Sequence, residues 1–176
     1  MAEPIEIDVW QGEIAELEVD AIVVAANESL FMTAGAGASV KRHGGEEIER
    51  SAVEQGPIPP GSAIATSGGS LAAPYVIHAV AVGHDRIADP ATLAAAVRAA
   101  LALAEPLQLR RIAIAPLGVE HGAFSADDAA EVIVSTLLEA GPSTPIEGVV
   151  LAASHPADAR ALSSVVHAAE AGARPR

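Results

Sequence analysis

The sequence predicts a three-layer α/β/α sandwich built on a mixed, largely parallel sheet. Three observations carry that expectation. Short apolar runs alternate with helical segments through most of the chain, the pattern of strands joined by crossover helices. Runs such as AIVVAA at 21–26 are apolar throughout, as strands covered on both faces are. Helix start and stop residues stand at the offsets that capping requires.

The elements follow in order. Ile5, Ile7 and Val9 alternate with polar residues and predict a half-buried strand. The run 21–26 is too short for a helix and rich in β-branched residues, so it predicts a buried central strand. A Gly/Ala segment at 33–38 follows, then a helix at 39–43 that Gly44 and Gly45 interrupt. A second helix is expected over 46–55, with Glu46, Glu47 and Glu49 near its positive end. The segment 56–61 is a rigid connection rather than a domain linker. Strands are expected at 63–66 and 75–82, with a Ser-Gly-Gly-Ser turn between them. Asp89 and Pro90 open a helix that should run to about Glu105. A strand at 112–115 precedes Ser125, which with Asp128 has the form of a capping box for a helix ending near Ala140. Gly141 and Pro142 stop it. A strand at 148–153 and a last helix opened by Pro156 complete the chain.

A length of 176 residues suits one domain, here 1–171, with 172–176 as a disordered tail. There is no cysteine, which excludes disulfides and thiolate metal sites. The amino terminus lacks a basic segment followed by an apolar run, and no stretch of about 18 apolar residues occurs, so a cytoplasmic location is expected. The net charge of −13 works against nucleic acid and anionic membranes as partners. It also opposes an anionic nucleotide unless a local dipole overrides the mean field. Aromatic residues are 2% of the chain, too few to build stacking platforms for single strands. His43, His84, His155 and His167 show no spacing with a second ligand, so neither a metal site nor a cofactor is expected.

In parallel sheets, ligands bind beyond the carboxyl ends of the strands. That directs attention to two loops. Asn27 ends the first buried strand, and Thr33, Ala34, Gly35, Ala36, Gly37 and Ala38 follow. Small residues leading into a helix present backbone N–H groups to an anion, although alanine-rich turns before helices are also common. The second loop carries Pro116, Leu117, Gly118, Val119, Glu120, His121, Gly122, Ala123 and Phe124. Glu120 and His121 are adjacent ionisable groups, readable either as a carboxylate beside an imidazole or as solvated loop charges.

Together these segments resemble the macro domain family, in a bacterial branch. The opening VWQGEI at 9–14, the run VDAIVVAAN at 19–27, residues 41–49, Gly56–Pro59 with Gly61, Gly68, Gly69, Leu71 and 75–79 carry the resemblance, over roughly 5–153. It implies a macro-type sandwich and an ADP-ribose site. Glu13 stands where an Asp usually accepts from the adenine amino group, and Ile14 matches a residue lining the adenine pocket. Asn27 matches the ribose-contacting, substrate-orienting Asn and is the one catalytic candidate. Thr33, Ala34 and Gly35 occupy a three-glycine run, Ala36 replaces a Val, and Gly37 stands where some hydrolysing members carry an acid. In the second loop Gly118 and Gly122 are retained, Val119 lies between glycine and acid, Glu120 and His121 replace a Gly and a small apolar residue, and Phe124 is placed to pack beneath.

These departures have physical consequences. Thr33 and Ala34 place side chains where backbone would approach phosphate and disfavour positive φ. Glu120 places a carboxylate beside a diphosphate if its side chain points into the cleft; if it points to water, the loop can still work. Two unit charges about 4 Å apart repel by about 4 kcal/mol at an effective dielectric near 20, before screening by solvent. His78 is expected to be a packed core histidine, and Lys41 and Arg42 to lie on a solvated helix face. Two functional readings stand. The first is recognition of ADP-ribose or a related adenine nucleotide derivative, free or on ADP-ribosylated proteins. It carries either weak hydrolysis at the distal ribose, as de-ADP-ribosylation or O-acetyl-ADP-ribose deacetylation, or no catalysis, as a module that reads ADP-ribosylated targets. The second is a degenerate member that serves another ligand or a protein partner.

Overall fold

The computed structural model describes residues 3–120 and 122–173. Alternation along β1 (Glu6–Gln11) leaves Glu6 and Asp8 exposed and Ile7 and Val9 partly covered, as suits an edge strand. The apolar run forms β2 (Ala21–Ala25), the centre of the sheet. After it come α1 (Gly35–Gly44), α2 (Glu47–Gln55), β3 (Ala63–Ser67), β4 (Tyr75–Ala79), α3 (Pro90–Ala102), β5 (Arg111–Ile114), α4 (Ala126–Ala140), β6 (Gly148–Ala153) and α5 (Pro156–Ala173). The six strands are ordered β1-β6-β5-β2-β4-β3. Every pairing is parallel except that of β3 with β4, which makes β3 an antiparallel edge.

Successive side chains of the central strands go to opposite faces. Ala21 and Val23 join the core under α3, α4 and α5, with Leu93, Ile133, Leu137 and Leu162. Ile22 and Val24 join a second core with Val40 of α1 and Ile48 of α2. The three-layer sandwich expected from the sequence is therefore what forms.

The capping residues act as expected. Asp89 Oδ1 accepts from Ala91 N–H at 3.0 Å, and Ser125 Oγ accepts from Asp128 N–H at 3.1 Å. Several boundaries differ by a single residue, and four differ by more. Helix α1 begins at Gly35 rather than Ser39, because the small residues 35–38 let the first turn lie close to the end of β2. Strand β4 leaves the ladder at Ala79 although 80–82 stay buried: both neighbouring strands have ended, and the apolar character of this run serves packing. Helix α3 stops at Ala102 and not near Glu105, since Leu103 and Ala104 tighten into i→i+3 turns ahead of Pro106. Helix α5 runs through Gly172 and Ala173, because no proline intervenes before Pro175; residues 174–176 lie outside the described residues.

Candidate functional site

Because five of the six strands are parallel, the carboxyl ends of β1, β6, β5 and β2 lie side by side along one edge of the sheet. A cavity of about 460 Å³ opens over those four ends. Each strand sends a segment into its wall. Gly12, Glu13 and Ile14 follow β1, and Ala152 to His155 close β6 with Asp158 beyond. Pro116, Val119 and Glu120 follow β5. Ala34, Gly35 and Ala36 follow β2, with Ser39 and Arg42 further along α1.

At one end, Ile14 is buried and begins a single 3-10 turn, while Glu13 precedes it in extended backbone. Ser39 Oγ donates to Glu13 Oε2 at 2.5 Å and so fixes the direction of that carboxylate. At the other end the amino terminus of α1 is open. Its cap residue, Ala34, has extended backbone (φ −147°, ψ 162°) and no side chain able to accept from the helix N–H groups. The turn needs positive φ only at Gly35, at +56°, the one glycine retained there. That explains how Thr33 and Ala34 are accommodated without strain.

The missing cap is supplied from a distance of 84 residues in sequence. Ala36 N–H donates to Glu120 Oε1 at 2.7 Å, so the carboxylate of Glu120 lies inside the cleft at the positive end of α1. Its loop turns through Gly118, at φ +83°. A Cβ on Gly118 would lie 2.6 Å from Phe124 Cδ2, and Phe124 is only 6% exposed, so the ring forms the floor under the loop. Gly122, at φ +69°, is exposed and does not line the cleft. His121 lies outside the described residues.

Asn27 and Thr33 are placed apart from this cleft. With Ser29, Phe31, Gly83, His84 and Arg86 they line a second depression of about 450 Å³, reached from the ends of β2 and β4. Thr33 faces this depression and Ala34 the main cleft, so their strip of backbone runs between the two. The side chain of Asn27 is engaged with its own loop, donating from Nδ2 to Phe31 O at 3.0 Å and accepting at Oδ1 from Phe31 N–H at 3.3 Å. Glu28 Oε2 accepts from His84 N–H at 2.8 Å and ties the two rims together. Glu49 Oε2 accepts from Met32 N–H at 2.6 Å and from Lys41 Nζ at 3.1 Å. Burial works to raise the pKa of Glu49, but the Met32 N–H and the Lys41 ammonium together hold it below the usual carboxylate range.

Two expectations about charged residues are refined. Lys41 is paired with Glu49 and faces away from the cleft, but Arg42 lines the cleft. Position 42 lies three residues beyond Ser39 in α1, on the same face of the helix, and so reaches the same opening. His78 is a core residue, 1% exposed, with Nε2 3.0 Å from Thr66 Oγ1. Burial lowers its pKa to about 4. Sequence reasoning missed the wall contributed by Ala152, Ala153, Ser154, His155 and Asp158. The signal was present, since the strand at 148–153 also ends at the carboxyl edge, but its loop contains neither a glycine run nor a motif. Carboxylates outnumber permanently cationic groups in the wall, with Glu13, Glu120 and Asp158 against Arg42. Among the described residues no group of three or more potential metal ligands is brought together, and no helix is long and apolar enough to cross a membrane.

A parallel-centred sandwich with one antiparallel edge, opening a cleft over the carboxyl ends of its strands, is an α/β fold of the kind that places ligand sites there. Residues 23–133 match the family model of the macro domain, and the chain belongs to that family. An uncharacterized protein of Mycobacterium tuberculosis is 36% identical over 170 residues, which are 97% of this chain and 47% of that protein. The chain thus spans about half the length of the first curated relatives it matches. Other relatives at similar identity come from bacteria and archaea, so the likeness is not confined to a bacterial branch. A variant of the Oceanobacillus iheyensis macrodomain with ADPR superposes with a TM-score of 0.86 at 21% identity, covering 97% of this chain and 98% of the other. The Trypanosoma brucei macrodomain in complex with ADP-ribose does so with a TM-score of 0.83 at 23% identity, covering 92% and 69%.

Proposed function

We propose that this chain recognises ADP-ribose, free or carried on protein, in the cleft over the ends of β1, β6, β5 and β2. The single observation that carries the reading is the convergence in one cavity of Glu13 and Ile14, of the small-residue turn at Ala34, Gly35 and Ala36, and of Val119 and Glu120. The adenine lies against Ile14, with its amino group donating to Glu13. The diphosphate crosses the amino end of α1, where N–H groups and the helix dipole favour negative charge. The distal ribose extends over the strip at Thr33 towards Asn27, which orients it. Two structures of the same fold are described with this ligand, which supports ADP-ribose as the occupant. The work is done in the cytoplasm.

Hydrolysis of an ester or glycosidic bond at the distal ribose, with water as nucleophile, is a minor activity in this reading. Gly37 has no side chain to activate that water, and Asn27 orients the ribose without supplying a base. The bond between Glu120 and Ala36 favours a second reading, in which the cleft has lost ADP-ribose and serves another ligand.

Calorimetric titration separates the two. ADP-ribose is expected to bind with saturable heat, and Glu13→Ala to weaken it about tenfold, the scale of one hydrogen bond to the base. Turnover of mono-ADP-ribosylated protein is expected to be slow in the same preparations. Absence of binding at millimolar ADP-ribose would support the second reading, and rapid turnover abolished by Asn27→Ala would overturn the minor role given to catalysis.

A further inference from the structure

The carboxylate of Glu120 does what a bound phosphate would do. It accepts from Ala36 N–H at 2.7 Å, at a helix terminus whose own cap residue offers no acceptor. It also fills the space directly over Gly35: a Cβ built there would collide with Cδ, Oε1 and Oε2 of Glu120 at once. A glycine at position 35 therefore leaves room for an anion, and in this chain the anion is part of the protein. We propose that Glu120 is an internal stand-in for a ligand phosphate, a gate that sets the preference of the cleft between uncharged and anionic occupants. The inference rests on the reading of the cleft as an ADP-ribose site.

Both the position of the group and the way it is held suit a gate. Glu120 lies on the exposed crest of its loop, while the base of the loop is fixed by buried Leu117 and by Phe124 under Gly118. The bond to Ala36 N–H is the one hydrogen bond its side chain makes among the described residues. Moving the side chain outward therefore breaks one hydrogen bond among the described residues and leaves the buried Leu117 and Phe124 in place. An occupant without phosphate can use the Glu13 and Ile14 end while Glu120 stays in place. A diphosphate must take the Ala36 N–H from Glu120 and tolerate the displaced charge nearby, in a wall that already carries Glu13 and Asp158.

The test compares wild type, Glu120→Gln and Glu120→Ala, titrated with ADP-ribose, adenosine and inorganic pyrophosphate and followed by calorimetry and by the Ala36 amide resonance. Glu120→Ala is expected to tighten ADP-ribose by about tenfold or more and to leave adenosine within about twofold, because one charge-assisted hydrogen bond and one repulsion are removed from the phosphate end alone. Glu120→Gln, which keeps the shape and loses the charge, should fall between. The Ala36 resonance should move in Glu120→Ala without ligand, and pyrophosphate should shift it further in that variant at concentrations that leave wild type unchanged. Equal gains for adenosine and ADP-ribose would mean a loosened loop and would overturn the gate. So would unchanged affinities for both, with the reading of the cleft left standing. If neither ligand binds any form, that reading falls, and pyrophosphate decides the gate alone: a shift of Ala36 confined to Glu120→Ala upholds it, and no shift in any form overturns it.

Discussion

Leu117→Ala is expected to destabilise the fold by about 3–4 kcal/mol, the cost of a buried leucine truncated where the surroundings cannot collapse. Leu117 is fully buried in the larger core, between Pro116, which lines the cleft, and Gly118, whose turn is fixed over Phe124. The side chain is thus the anchor by which the second loop is held to the sheet. Removing it leaves a cavity beneath the loop as well as losing apolar burial. For a domain of this size each kcal/mol is worth about 2–4 °C of melting temperature, so a fall of about 10 °C is expected in thermal unfolding. A fall below about 2 °C would mean that the loop is anchored elsewhere. Leu117→Met, which nearly conserves volume, should recover most of the loss.

The second large effect is acid lability from His78. Burial lowers its folded pKa from 6.5 to about 4. Well above pH 6.5 the ring is uncharged in both folded and unfolded chains and contributes no difference. Between pH 6.5 and 4 the unfolded chain takes up a proton that the folded chain refuses, so stability falls as pH falls and levels off below the folded value. A shift of this size corresponds to about 3 kcal/mol. Glu49 adds to the loss at the acid end, because its lowered folded pKa stabilises the fold above its unfolded value and that contribution disappears as the carboxylate is protonated. His78→Gln isolates the histidine. Denaturant unfolding at a series of pH values should show a shallower slope for the variant between pH 6.5 and 4, by up to one proton. Parallel curves would show that His78 is protonated inside the fold.

What the sequence made legible was what is encoded locally. The caps at Asp89 and Ser125 are written within three residues of the groups they satisfy, and both were readable. The strands β2 and β6 were readable because burial on both faces leaves them apolar throughout. The resemblance located Glu13, Ile14, the turn at 34–36 and the loop at 118–124, and the structure gathers Glu13, Ile14, Ala34, Gly35, Ala36, Val119 and Glu120 around one opening. What was not legible depends on contacts distant in sequence. Nothing near Ala34 says that its helix is capped by a residue 84 positions away from Ala36. Nothing near Asp20 says that its carboxylate accepts from the N–H groups of Arg110 and Arg111. The orientation of Glu120 in particular had two readings, inward or towards water, and only the path of the loop over Phe124 decides between them. The wall from Ala152 to Asp158 escaped notice because small residues at a strand end carry no chemical signature until the strand order puts β6 between β1 and β5.

The most direct measurement of the central claim is the structure of this chain with ADP-ribose bound. The account predicts adenine against Ile14 with its amino group on Glu13, a diphosphate oxygen on the Ala36 N–H, and the carboxylate of Glu120 withdrawn from that amide. Adenine seated elsewhere, or a diphosphate bound away from α1 while Glu120 still holds Ala36, would contradict it.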